Sequence, residues 1–192
     1  MAPDKRERFP LPIHWRQLSG VVLFADLAGF FPIAGQMPLD QLGRFIQQFY
    51  EVCHSEVVHR KGEVVDFVGD SVLGWFRSEA TAGMDPEWCA ALTAFHLVKQ
   101  LKQLDAKLHL NIGLNSGTML EGTWTMNQAP TRTILGDTVN RAAILAGGKL
   151  QGIHATKSVV DVLGPRVTHE KAKICFPGNK TETVYRLLSL NL

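Results

Sequence analysis

The sequence holds no apolar run that approaches the ~20 residues of a membrane-spanning helix, so no membrane partner is expected. The opening stretch, Met1 to Trp15, carries prolines and charges where a secretory signal needs an apolar segment. Cysteine is scarce: Cys53, Cys89 and Cys175 are odd in number and far apart. That excludes a disulfide framework and fits a reducing, cytoplasmic compartment. None of the seven histidines combines with a cysteine at zinc-ligand spacing, and His54 and His59 diverge on a helix. Ser71 and Ser116 lack a His–acid pattern, which disfavours a hydrolase triad. A surplus of one charge is missing too. Lysine and arginine total 20 against 18 acidic residues, a formal charge of +2. This balance gives no support for a nucleic-acid partner. No internal repeat or low-complexity segment is present.

What is present suits one domain with its own core: 192 residues, 45% hydrophobic and 20% charged. Residues 1–18 read as a polar lead-in whose Lys5-Arg6-Glu7-Arg8 cluster is solvated, and residues 19–192 as the domain. Val21–Ala25 reads as a strand buried on both faces, ending at Asp26. Leu42, Phe45, Ile46, Phe49, Cys53 and Val57 share one face of a helix over 39–59, which Gly62 stops. Strands at 63–68 and 71–76 hinge at Gly69-Asp70, and a second helix runs from Asp85 to Leu104. Leu108–Leu114 is a strand with Thr118–Thr125 pairing behind it, and 127–130 is a loop. Gly136 opens a short helix to Ala146, and strands at 166–176 and 183–188 flank the C-terminal part, with a short helix at 158–163.

This order predicts an α+β fold: a ferredoxin-like βαββαβ antiparallel sheet with helices on one face and C-terminal additions. In that plan the first strand ends where the hairpin turns. Asp26 and Asp70 then meet at one edge, although 44 positions separate them. Two converging carboxylates repel each other, and a divalent cation relieves the repulsion. Oxygen ligands suit Mg²⁺ or Mn²⁺, with a polyphosphate completing the coordination. After Asp26 the turn through Ala28-Gly29 into Phe30-Phe31-Pro32 offers backbone N–H groups to phosphates. Spacing alone fits equally well two turn aspartates that cap backbone groups and never meet.

Taken together the motifs are specific. Leu23-Phe24-Ala25-Asp26-Leu27-Ala28-Gly29-Phe30 and Gly62-Glu63-Val64-Val65-Asp66-Phe67-Val68-Gly69-Asp70 resemble the first two signatures of class III adenylyl and guanylyl cyclases. Ile112-Gly113-Leu114-Asn115-Ser116-Gly117 is similar to their central strand and turn, and Thr133 through Ala143 to their last signature. The resemblance spans Gly20 to Leu188. It implies a homodimer with active sites across the interface and two metal ions holding a nucleoside triphosphate. The ribose 3′ oxygen attacks the α-phosphorus and pyrophosphate leaves. Asp26 and Asp70 match the metal-binding aspartates, with the Leu27 carbonyl assisting. Gly29, Phe30 and Phe31 match the terminal-phosphate turn, and Asn140 the residue that positions the ribose.

The departures bear on substrate and activity. Asp66 stands where adenylyl cyclases carry a base-reading lysine, Thr133 at the second base-reading position, and Ile144 where they carry a transition-state arginine. The phosphate-binding lysine aligns with Pro177, and Lys180 nearby is the substitute. An ionised carboxylate only accepts hydrogen bonds, so Asp66 suits guanine N1–H or uracil N3–H rather than adenine N1. Arg141, Arg44, Arg132 or a partner-chain arginine are the candidates to replace the missing one. No appended sensor, transmembrane or dimerisation segment is expected from the sequence, and stand-alone domains of this pattern resemble the bacterial pyrimidine cyclases of antiphage signalling. That implies UTP as substrate, cUMP as product and a downstream cyclic-nucleotide receptor. A guanylyl cyclase, behind it an adenylyl cyclase, and a degenerate domain that binds nucleotide or regulates a partner without turnover remain the alternatives.

Overall fold

The computed structural model describes residues 13–81, 83–105, 108–126, 128–147 and 150–191. The expected lead-in lies outside the described residues up to position 12. From His14 its remainder belongs to β1 (His14–Ala28), a strand longer than its apolar run suggests. Val21, Val22 and Leu23 are fully buried, as a strand covered on both faces requires. A single-turn α1 (Phe30–Ala34) follows, where the sequence indicates only a turn. α2 (Leu39–His59) buries Phe49, Cys53 and Val57, which recur every four residues. It ends where the Gly62 amide donates to the Val57 carbonyl at 2.9 Å. β2 (Glu63–Val68) and β3 (Ser71–Arg77) form the expected hairpin, and α3 (Pro86–Leu104) starts with Pro86 and Glu87 in its first turn.

β4 (His109–Met126) is one strand of 18 residues. Residues 118–125 therefore continue the preceding strand instead of pairing behind it. The reason is β1: its register with β4 runs unbroken from His14–Thr123 to Ala28–His109, so β4 has a partner along its length. The strand that does fold back is β5 (Ala129–Leu135), and it takes in Ala129 and Pro130, expected in a loop. Next come α4 (Asp137–Gly147), β6 (Ile153–Ala155), α5 (Lys157–Leu163), β7 (Val167–Phe176) and β8 (Lys180–Leu190).

The sheet order is β2-β3-β1-β4-β6-β8-β7, with β5 paired to β4. Its first four strands, crossed by α2 and α3, are the ferredoxin-like plan predicted from element order. One face packs Val21, Leu23, Ala25 and Leu27 of β1 against α2, α3 and α5. The opposite face is closed by α4 and β5, where Ala142 and Ile134 meet Val22 and Trp75. α4 crosses β4 so closely that a Cβ on Gly113 would stand 2.0 Å from the Ala142 carbonyl oxygen. Only glycine allows that approach.

An alternating charge relay crosses the sheet: Arg16, Glu121, Arg77, Glu63, Arg132. Arg77 lies 2.9 Å from Glu121 and 3.0 Å from Glu63, and its guanidinium covers the Trp75 ring. Arg132 of β5 pairs with Glu63 of β2 and reaches the Val64 carbonyl, so β5 is clamped to the sheet edge.

Candidate active site

Asp26 sits at the end of β1 opposite Ser71, the first residue of β3. The Ser71 hydroxyl donates to its Oδ1 at 2.5 Å. The Leu27 amide donates to the Asp70 carbonyl at 3.2 Å, so the strand end and the hairpin turn are joined directly. The topology thus brings Asp26 and Asp70 to one edge, near enough for Asp26 to act electrostatically on Asp70. Asp70 is half-buried, and its carboxyl is pushed above the usual carboxylate range, chiefly by burial and then by Asp26, against its own backbone hydrogen bond. The Leu27 side chain is in the core, so only its backbone is available here.

The turn carrying Asp70 is held from beneath by Tyr50. Its hydroxyl donates to the Gly69 carbonyl at 2.5 Å, and its ring stacks on Phe67 at 4.3 Å. Burial and then the Asp70 and Asp66 carboxylates raise the phenol's pKa, so it remains a donor. Sequence reasoning passed over both Tyr50 and Ser71. Ser71 was legible from register: once Asp70 is the turn, the next residue must face Asp26. Tyr50 carried the weaker signal of a polar-tipped aromatic beside the buried stripe of α2.

Gly29, left-handed at φ 76°, turns the chain into α1. Phe30, Phe31 and Asp70 then line one cavity of about 390 Å³ with Tyr50 and Gly69. Phe31 is 89% exposed, so this turn presents backbone and aromatic surface beside the carboxylates.

Asp66 is exposed on the edge strand β2, beside a register shift, and its Oδ1 accepts from the Phe67 amide at 2.8 Å. Thr133 is on β5 next to Arg132, whose ion pair ties that strand to β2. Val65 and Ile134 share one apolar cluster, so Asp66 and Thr133, the positions expected from the sequence to read the base, are on adjoining strands.

Asn140 and Arg141 lie on α4, and no hydrogen bond or ion pair among the described residues joins either to Asp26 or Asp70. Asn140 is exposed. Arg141 is occupied. Its guanidinium pairs with Glu182 of β8 and covers the Phe176 ring at 4.4 Å. Its pKa is raised, first by that hydrogen bond. Arg141 and Arg132 are thus each committed to a carboxylate. Arg44, 80% exposed, stands 3.7 Å from Asp40 on α2. Lys180 is exposed at the start of β8, paired across the hairpin with Phe176.

The family model of the adenylate and guanylate cyclase catalytic domain matches residues 17–189. The chain belongs to this family. Among curated relatives, an uncharacterized protein of Mycobacterium tuberculosis is 28% identical over 144 residues, 75% of this chain and 25% of that protein. An adenylate cyclase of Anabaena cylindrica is 24% identical over 155 residues, 72% of this chain and 30% of the relative. The chain therefore spans between about a fifth and a third of the length of the curated relatives it matches. The adenylyl cyclase CyaB from P. aeruginosa shares the fold with a TM-score of 0.83 at 19% identity, over 93% of this chain and 97% of that one. The guanylate cyclase domain of RhGC from Catenaria anguillulae, solved with GTP, gives 0.82 at 20% identity, over 92% and 100%.

Among the described residues no cluster of three or more His, Cys, Asp or Glu side chains stands ready for a metal. Asp26 and Asp70 instead offer two carboxylates, one with its charge disfavoured by burial and by the other. Such a pair fits a hard divalent cation whose remaining ligands come from backbone and substrate oxygens.

Proposed function

We propose that this cyclase domain converts a nucleoside triphosphate, UTP in preference to GTP, to its 3′,5′-cyclic monophosphate and pyrophosphate, as a homodimer with Mn²⁺ or Mg²⁺. The observation that carries the reading is the junction of Asp26 and Asp70. They would hold two divalent cations, with the Leu27 carbonyl assisting. Bound metal lowers the pKa of the attacking hydroxyl and neutralises phosphate charge. The chain's own residues do the positioning. Ser71 fixes the Asp26 carboxylate, and Tyr50 fixes the turn that presents Asp70. The Gly29-Phe30-Phe31 turn receives the terminal phosphates, with Lys180 reaching them from the β7–β8 hairpin. Asn140 is separate from the carboxylates within one chain, which supports its delivery to the ribose of the partner's site.

Base choice rests on Asp66. One of its oxygens is taken by the Phe67 amide and the other is free to accept, which selects an imide or lactam N–H. The likeness to pyrimidine cyclases favours uracil and an antiphage role. Arg141, saturated by Glu182, and Ile144 favour the second reading, a nucleotide-binding domain without turnover.

The test is incubation with Mn²⁺ and equal ATP, GTP, CTP and UTP, with products read by mass spectrometry. Dominant cUMP is expected. Dominant cGMP keeps the chemistry and overturns the base assignment. No cyclic product from the intact dimer overturns turnover in favour of the binding domain.

A further inference from the structure

The arginines around the site are already matched to acids: Arg141 to Glu182, Arg132 to Glu63, and Arg77 to both Glu63 and Glu121. A phosphoryl group in transfer accumulates charge that needs a cation free to meet it. One turn along α4 from Asn140, on the same side of the helix, stands apolar Ile144. Yet Ile144 is not sealed away. It lines a cavity of about 740 Å³ between α4 and the edge strand β7. Leu150 and Ile174 make its walls apolar, and Lys173 is the one cation among its lining residues. Lys173 is exposed, and its ammonium makes no hydrogen bond or ion pair among the described residues. A lysine stem lies readily along an apolar wall while its head stays free.

We propose that Lys173 supplies the cationic contact to the transferring phosphoryl group that Ile144 does not. The inference rests on the cyclase reading above. In the step it serves, the bond between the ribose 3′ oxygen and the α-phosphorus forms. The bond from the α-phosphorus to the bridging oxygen breaks, pyrophosphate leaves with that electron pair, and the hydroxyl proton passes to solvent. Lys173 touches the phosphoryl oxygens and transfers no proton.

The test compares wild type with Lys173→Ala, Lys173→Arg, Lys171→Ala and the double variant Lys173→Ala with Ile144→Arg. Turnover of UTP and GTP in Mn²⁺ is measured, and separately the Kd of a non-hydrolysable triphosphate analogue by calorimetry. Lys173→Ala is expected to lower kcat about tenfold or more with little change in KM, because the contact strengthens in the transition state. Lys173→Arg retains most of the rate, and Ile144→Arg restores it to the alanine variant. Lys171, exposed two residues away and outside the cavity lining, leaves the rate unchanged. Wild-type turnover in Lys173→Ala overturns the proposal. If wild type binds the analogue without turnover, the cyclase reading fails and binding decides: weaker binding by Lys173→Ala supports the contact, and equal binding overturns it. If wild type neither binds nor turns over, both fall.

Discussion

Asp70 and Ser71 are adjacent in sequence and act on the same partner, Asp26, in opposite ways. Asp70 faces a second carboxylate, while Ser71 donates to that carboxylate and holds it still. Asp70→Asn keeps the turn and removes a charge. Turnover is expected to fall about 10²-fold or more, with the melting temperature unchanged or higher, read by product assay and calorimetry. Addition of a chelator is expected to abolish turnover, and Mn²⁺ to restore it. Tyr50→Phe removes the hydroxyl that holds the Gly69 carbonyl. It is expected to cost about 1 kcal/mol of stability in urea titrations and to raise the metal concentration needed for half-maximal rate. At this scale residue type marked Asp26, Asp70 and Asn140 as candidates, and the structure joins the strand end of Asp26 to the turn of Asp70. The sequence was silent where the role comes from a contact. Nothing in the word Arg141 reveals that Glu182, 41 positions later, has claimed it.

At the scale of elements, apolar patterning showed α2, α3, β2 and β3 to within a few residues, and of β1 only the C-terminal half. It failed at β4 and β5. Thr118–Thr125 is a run of mixed polarity, and strands held by a long partner and a charge relay need no apolar alternation. The relay itself predicts an asymmetry. Glu121 is only 7% exposed in its side chain, so Arg77→Ala leaves a nearly buried carboxylate without its close partner. A loss of about 3 kcal/mol is expected in chemical denaturation, while replacing Arg77 and Glu121 together by apolar residues costs much less. Gly113→Ala forces α4 off β4. It is expected to destabilise by about 3 kcal/mol, at the upper end for overpacking, with lost protection of α4 amides in hydrogen exchange.

For the whole molecule, His154 of β6 couples stability to pH. It is 1% exposed, and its Nδ1 has no hydrogen-bond partner among the described residues. Burial, and then Arg186, hold its pKa below the ordinary 6.5. The unfolded chain therefore binds the proton first. The stability that the neutral ring contributes is full above pH 6.5 and is lost as pH falls through that value towards the lower folded pKa. Urea midpoints are expected to drop between pH 8 and pH 5.5, and His154→Leu to flatten that slope. Assembly belongs to the same scale. Sedimentation is expected to show a dimer, and a fully active monomer at high concentration would contradict the shared site.

β4 also acts as a frame of reference for reading the chain. From His109 to Thr123 it makes one uninterrupted ladder with β1, so the residues beside Asp26 and those of the β5 hairpin share a single parity. One inserted residue after Ser116 would invert which side chains beyond it face α4 and which face solvent. An insertion of two would preserve that parity. The fold should thus tolerate even changes of length in this strand and reject odd ones, a frameshift rule written in geometry.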